Sequence, residues 1–126
     1  MKTIINTANA PAPIGPYSQA VQAGNFLFIS GQIAIDPVTN SLVTDDVSLE
    51  TTQVLNNIQA LLGKAGYDFG DVVKATIFLS DMSLFVEVNE VYGSYFISNF
   101  PARETVAVAG LPKNVNVEIS VIAYKM

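Results

Sequence analysis

The sequence predicts an α+β fold in which two helices cover one face of a mostly antiparallel mixed sheet. Two observations predict it: the chain order of apolar periodicities reads hairpin, helix, strand, helix, strand, strand, and two stretches keep a helical period long enough to cross a sheet. A third sets the scale. The 126 residues show no linker, repeat or composition shift, so residues 1–126 are expected to form one domain.

The hairpin comes first, between Ala20 and Ile35. Ser18 to Gln22 and Phe26 to Ser30 are apolar-rich runs around Ala23-Gly24-Asn25, and Gly-Asn there is good turn chemistry. Asp36-Pro37 and Thr39-Asn40 mark a loop. The first helix spans Ser48 to Ala65: Val54, Ile58, Leu61, Leu62 and Ala65 form one stripe, polar residues fill the other side, and Gly66 stops it. Val72 to Ser80 is a nearly continuous apolar strand. The second helix starts near Ser83 as its cap and runs to about Asn99, with Phe85, Val88, Tyr92 and Phe96 along one side. Glu104 to Ala109 and Asn116 to Tyr124 close the chain as strands.

Alternation along the last strands assigns their faces. Val73, Ala75, Ile77 and Leu79, then Val106 and Val108, then Val117, Ile119 and Val121 are expected beneath the helices. The opposite face receives Lys74, Thr76 and Phe78, then Arg103, Thr105, Ala107 and Ala109, then Glu118, Ser120, Ile122 and Tyr124. That face is too apolar for plain exposure to water. Half of all residues are hydrophobic and 13% are charged, against about 25% in an ordinary chain. A very full core would explain the composition alone; burial of this face against copies of the same chain, the favoured reading, accounts for both facts.

Composition also removes classes of function. No apolar run reaches the ~18 residues of a membrane span, the N-terminus has no signal-peptide core, and a cytoplasmic location is the default expectation. The net charge is −5, and the lysines are dispersed, which disfavours nucleic acid as a partner. With no His and no Cys there is no thiol nucleophile, no Ser-His dyad, no disulfide framework and no ordinary zinc site. Phosphate-cradling glycine loops are missing too. Catalysis would rest on carboxylates, hydroxyls, lysine, backbone groups and the one arginine, Arg103.

Arg103 opens a strand just after Pro101. A guanidinium grips a carboxylate as a planar fork; taken alone, a surface arginine paired with Glu104 is the more frequent case. Glu118 lies inside a strand between Val117 and Ile119, where acids are uncommon unless paired or functional. Taken alone, an ion pair across the sheet with Lys74 or Arg103 is again the more frequent case. Gly31, within Ser30-Gly31-Gln32, permits close backbone approach. Asn89 sits on an aromatic stripe and must find partners, whereas Phe85, Tyr92, Tyr95, Phe96 and Phe100 read as core and interface.

The order of these pieces carries more than each piece. Pro101-Ala102-Arg103-Glu104-Thr105-Val106-Ala107-Val108-Ala109-Gly110-Leu111-Pro112, followed by Val117-Glu118-Ile119, resembles the C-terminal signature of the RidA (YjgF) family. Ile14-Gly15-Pro16-Tyr17-Ser18-Gln19-Ala20 and Phe28-Ile29-Ser30-Gly31-Gln32 match its two N-terminal landmarks, and Asp81, Phe85, Asn89, Tyr92 and Phe96 match its second-helix pattern. The resemblance covers essentially the whole chain. It implies a chorismate-mutase-like fold, a homotrimer with active sites in clefts between subunits, and no metal or organic cofactor. The implied activity is hydrolysis of reactive 2-imino and enamine acids, released by pyridoxal-phosphate enzymes, to 2-oxo acids and ammonia. Arg103 then holds the substrate carboxylate and Glu118 orients or activates water. Gly31 and Thr105 place substrate and water through backbone groups, Tyr17, Phe85, Asn89 and Pro112 line the cleft, and Ser30 sits near it. The chain departs from the family at Glu104, at Thr105 where cysteine is frequent, and at Gly110 where arginine is common; these changes bear on substrate range. A non-catalytic trimer sensing a small carboxylate, and the RNA-cleaving or translation-inhibiting role of some relatives, remain alternatives.

Overall fold

The computed structural model describes residues 1–126. In chain order the elements are β1 (Lys2–Ile5), β2 (Ala20–Ala23), β3 (Phe26–Gln32), α1 (Val47–Lys64), β4 (Val72–Leu79), α2 (Phe85–Gly93), β5 (Ala102–Ala107) and β6 (Val117–Tyr124). All six strands form one sheet in the order β1-β2-β3-β6-β4-β5, antiparallel except for the β4–β5 pair. That pair is parallel because α2 carries the chain back to the start of the sheet, as a crossover must. The predicted α+β architecture is the observed one.

α1 begins one residue before its predicted start. Asp46 caps it, its carboxylate accepting from the N–H groups of Ser48 (2.7 Å) and Leu49 (3.1 Å), a contact worth about 1 kcal/mol. At the other end Gly66 takes φ 84°, and the bonds Gly66 N–H to Gly63 O and Tyr67 N–H to Leu62 O close the helix. The predicted stripe faces the sheet: Val54, Ile58, Leu61 and Leu62 lose all contact with water against Ala75, Ile77, Val117 and Ile119. Each such side chain contributes about 1.5–3 kcal/mol by leaving water, so Leu61→Ala is expected to cost about 2–5 kcal/mol once its cavity is included.

Four expectations are corrected. β1 has no counterpart in the sequence reading, because four edge residues followed by a long loop give no alternation to detect; the strand exists through its pairing with β2. α2 ends at Gly93, not near Asn99, and Asp81 rather than Ser83 caps the 3-10 turn that precedes it. The Ser94 hydroxyl bonds back to Val91 O (2.6 Å). Beyond it Tyr95 and Phe96 continue the apolar stripe outside the helix by packing on Phe69, which is why the periodicity overran. Val73 points outward, 45% exposed, since the β4–β6 register slips between Val72 and Lys74 and Val72 takes the inward place.

The fourth correction concerns the site. β5 lies in register with β4 so that Arg103 neighbours Ala75 and Thr105 neighbours Ile77, both on the helix-covered face. Arg103 and Thr105 therefore face α2, while Val106 turns to the open face beside Phe78. The apolar-in rule fails because β5 is a sheet edge. There α2 offers the guanidinium an amide oxygen and aromatic rings, and the open face offers Glu104 a lysine. Glu118 neighbours Phe78 and keeps its predicted place on the open face. Arg103 and Glu118 are on opposite sides of one sheet.

Candidate active site

Two half-sites result. The first is a cavity of about 330 Å³ against the open side of β3 and β6. Glu118 projects into it, with Tyr17, Ser30, Gly31 and Pro112 around it and Pro11, Ile14, Ile33 and Ile35 as an apolar end. The Glu118 carboxylate has no ion-pair partner; the chain's ion pair is Lys74 to Glu104 at 3.2 Å, reinforced by Thr76. Burial pushes the Glu118 carboxyl above the ordinary glutamate range, because taking the charged form out of water is unfavourable. Gly31 makes its position possible. A Cβ there would collide with Glu118 Oε2 and lie 2.8 Å from its Cδ, so the carboxylate rests against bare backbone. Ser30 Oγ donates to Ser18 O (2.6 Å), which commits its proton to the scaffold. Tyr17 Oη accepts from the Ile14 N–H (3.2 Å) and holds the loop beside it.

The second half-site, about 280 Å³, lies under α2 and contains Arg103, Asn89 and Phe100. Arg103 donates to Asn89 Oδ1 at 2.7 Å, and its guanidinium carbon is 4.9 Å from the centre of the Tyr92 ring and 5.7 Å from that of Phe85. These contacts fix the plane of the fork and leave other N–H groups for a ligand. Two buried side-chain oxygens lack any hydrogen-bond partner: Tyr92 Oη, whose ring lines this half, and Thr105 Oγ1, on the same face of β5 as Arg103. Burial raises the Tyr92 phenol above its ordinary range, with the Arg103 charge opposing the shift.

Known proteins resemble this chain over nearly its whole length. The family model described as Endoribonuclease L-PSP matches residues 7–125. A RutC family protein of Pyrococcus horikoshii is 57% identical over 125 residues, covering 99% of both chains. The 2-iminobutanoate/2-iminopropanoate deaminase of Bos taurus is 51% identical over 123 residues, 98% of this chain and 90% of that one. Among solved structures, a Rid family protein of Yersinia pestis superposes with a TM-score of 0.96 at 48% identity, covering 99% of this chain and 100% of that one.

The chain belongs to the RidA/YjgF family. Within that fold, the residues named from the sequence divide cleanly. Glu118, Tyr17, Ser30, Gly31 and Pro112 meet in the first half-site; Arg103 and Asn89 meet in the second, with Phe85 against the guanidinium and Thr105 on the same face of β5. No cavity of the single chain holds both Arg103 and Glu118. The sequence reading passed over Tyr92 as a support for Arg103, treating it as core, and its position four residues before Phe96 gave no sign of the stacking. It also passed over Ile33, Ile35 and Pro11, whose role as walls depends on how the loops fold back.

Proposed function

We propose that the protein is a 2-imino acid deaminase whose active site is completed by a second copy of the chain, Arg103 of one subunit meeting Glu118 of another. The observation that carries this reading is the division itself. One half offers a free anionic base without a partner, the other an oriented carboxylate receptor beside the unsatisfied Tyr92 hydroxyl, and each lacks what the other has. The bovine relative named as an imine deaminase supports the reaction class. The open sheet face supports the assembly: Phe26, Phe28, Tyr124 and Val106 are each more than a third exposed on it, Phe26 stacks with Tyr124 at 5.0 Å, and patches of this kind seek burial. A homotrimer closes such contacts by rotation.

In the proposed reaction Arg103 binds the carboxylate of R–C(=NH)–COO⁻ as a fork and sets the imine carbon against a water beside Glu118. Glu118 takes a proton as the water oxygen bonds to that carbon and delivers it to the imine nitrogen, giving the carbinolamine R–C(OH)(NH2)–COO⁻. It then takes the hydroxyl proton and passes it to the amine, the C–N bond breaks as the carbonyl forms, and ammonia and the 2-oxo acid leave. The imine carbon is already electrophilic, so one base and one anchor suffice, with no metal and no organic cofactor. The raised pKa of Glu118 brings its basicity nearer neutrality, which improves proton transfer. Thr105 keeps the backbone groups that the reaction uses. The net charge of −5 and scattered lysines favour this reading over RNA cleavage.

The test is a coupled assay in which a dehydratase acting on serine or threonine generates the imine in place, and 2-oxo acid and ammonia are followed over time. Release faster than the spontaneous rate supports the proposal. A rate equal to that without protein, with the carboxylate still bound, would establish a sensor instead.

A further inference from the structure

α1 buries three polar side chains: Thr51 bonds back within the helix to Val47 O (2.7 Å), and the other two reach outside it. Glu50 has no exposed surface, and Asn57, two turns further along the same buried face, is 1% exposed. A carboxylate out of water must be paired or hydrogen-bonded. No cation reaches Glu50. Its Oε2 instead accepts from the backbone N–H groups of Asn116 (2.8 Å) and Val117 (3.0 Å), and its Oε1 accepts from Asn116 Nδ2 (2.9 Å). Asn116 is tied in turn to the end of β4: Ser80 Oγ donates to Asn116 Oδ1 (3.1 Å) and Ser80 N–H to Asn116 O (2.9 Å). Asn57 Nδ2 donates to the carbonyls of Ile33 (3.2 Å) and Ile35 (3.0 Å), while its Oδ1 accepts from Gln53 Nε2 (2.9 Å).

Both sets of bonds end on walls of the Glu118 cavity. Val117 directly precedes Glu118. The 3-10 turn Pro112–Asn114, which lays Pro112 into the cavity, stops two residues before Asn116. Lys113 and Asn114 in that turn hold φ of 55° and 57°, a conformation that residues with a Cβ keep only where surrounding contacts enforce it. Ile33 and Ile35 form another wall, and with Val115 they make an apolar cluster separate from the main core. The main core alone therefore does not lock these walls.

We propose that Glu50 and Asn57 are positioning residues, through which α1 fixes two walls of the cavity and so sets the Glu118 carboxyl and Pro112 against the substrate. Glu50 acts on the turn and on the start of β6; Asn57 acts on the segment after β3. The kinetic part of the claim rests on the imine-deaminase reading, and a second readout does not.

The kinetic test is Glu50→Gln, assayed as intact assembly at a temperature where it is fully folded. The glutamine nitrogen cannot accept from Asn116 Nδ2, so that amide has to move away or turn over, which breaks or reverses its bond with Ser80 Oγ and shifts the turn. The expected loss in kcat/KM is at least about tenfold, carried by kcat, because misplacement weakens the transition state more than binding. The double variant Glu50→Gln/Asn116→Asp reverses donor and acceptor in one bond of the cluster. The oxygen of the introduced amide then takes both backbone N–H groups, its nitrogen donates to the introduced carboxylate, and Ser80 keeps its acceptor. Recovery to within about threefold of wild type is expected, on the scale of one restored hydrogen bond. The second readout needs no substrate and no change of charge: the titration of Glu118 in Asn57→Leu, followed by carbon-13 NMR of labelled carboxyls and assigned with Glu118→Gln. Loosened walls admit water, so the midpoint is expected to fall toward that of an exposed glutamate. If wild type turns over no imine, the function proposed above fails and the titration alone decides the positioning claim. If Glu50→Gln does not fold, Asn57→Leu supplies the kinetic comparison as well. A folded Glu50→Gln with kcat/KM within about twofold of wild type, less than one tenfold step of the barrier, would overturn the proposal, as would a loss not recovered by the double variant or an unmoved Glu118 midpoint in folded Asn57→Leu.

Discussion

Arg103→Lys isolates the role of the guanidinium. The substitution keeps the positive charge, so the potential in the second half-site changes little, and it removes the planar fork. In the structure one arm of that fork is already committed to Asn89 Oδ1 at 2.7 Å, and the Tyr92 and Phe85 rings hold its plane. The rest of the fork is the part proposed to grip the substrate carboxylate. A lysine ammonium that keeps the Asn89 bond offers the carboxylate one contact in place of two. Loss of a hydrogen bond to a charged group costs about 1.5–3 kcal/mol. At about 1.36 kcal/mol per factor of ten, that is a fall in kcat/KM of roughly ten- to a hundredfold or somewhat more. Misplacement of the imine carbon by about 1 Å independently gives about a hundredfold. The two routes converge near a hundredfold, with assembly unchanged and melting temperature little changed, because only the stacking on Tyr92 and Phe85 is weakened. Arg103→Ala should be at least as severe. The assay is the dehydratase-coupled release of 2-oxo acid, with light scattering and thermal melting on the same samples. An Arg103→Lys enzyme within about threefold of wild type, well below that scale, would refute the role given to Arg103.

Other perturbations follow the same reasoning. Glu118→Gln should lower kcat about 10²–10⁴-fold and abolish the acid limb of the kcat/KM profile, which in wild type falls as pH drops through a midpoint above the ordinary glutamate range. The same substitution should stabilise the fold near neutrality. With its folded pKa raised, native Glu118 binds the proton more tightly than the unfolded chain does, so its ionisation costs stability as pH rises through that window; below about pH 4 the two proteins should melt alike. Equal melting at pH 7 would show that burial does not disfavour the charge. Gly31→Ala should displace the Glu118 carboxylate and cut turnover while leaving the assembly intact, since the three atoms nearest the added methyl all belong to that side chain; an unaffected rate would mean that Glu118 works from another rotamer. The protein should sediment as a trimer at micromolar concentration and keep its activity after EDTA treatment. A stable folded monomer, or activity lost to EDTA and restored by a divalent ion, would contradict these two expectations.

Most of the fold was legible because its signals are local. α1 has a full stripe and a glycine stop, the hairpin has its Gly24-Asn25 turn, and β4 and β6 alternate cleanly around Ile77 and Ile119. β1 was hidden because its pairing with β2 spans a loop that leaves no periodic trace. The site was half legible. Arg103 and Glu118 stand out as the one arginine and an acid inside an apolar strand, but which face each occupies depends on register. Alternation in β5 suggested that Val106 points inward, and the parallel pairing Ala75 to Arg103 reversed it. Buried polar residues such as Glu50 and Asn57 were invisible, since on a helix they read as polar side chains for water until their distant partners are known.

The central claim, a site shared between subunits, is tested most directly by complementation. Arg103→Ala retains an intact Glu118 half, and Glu118→Gln retains an intact Arg103 half. Each homogeneous assembly should be nearly inactive. Co-expressed in equal amounts and assembled at random, the two should form complete sites at about one position in four, because each site draws its halves from two independently chosen subunits. The account predicts that the purified mixture recovers about a quarter of wild-type activity. A mixture no more active than either parent, with mixed assembly confirmed by two different affinity tags, would contradict it.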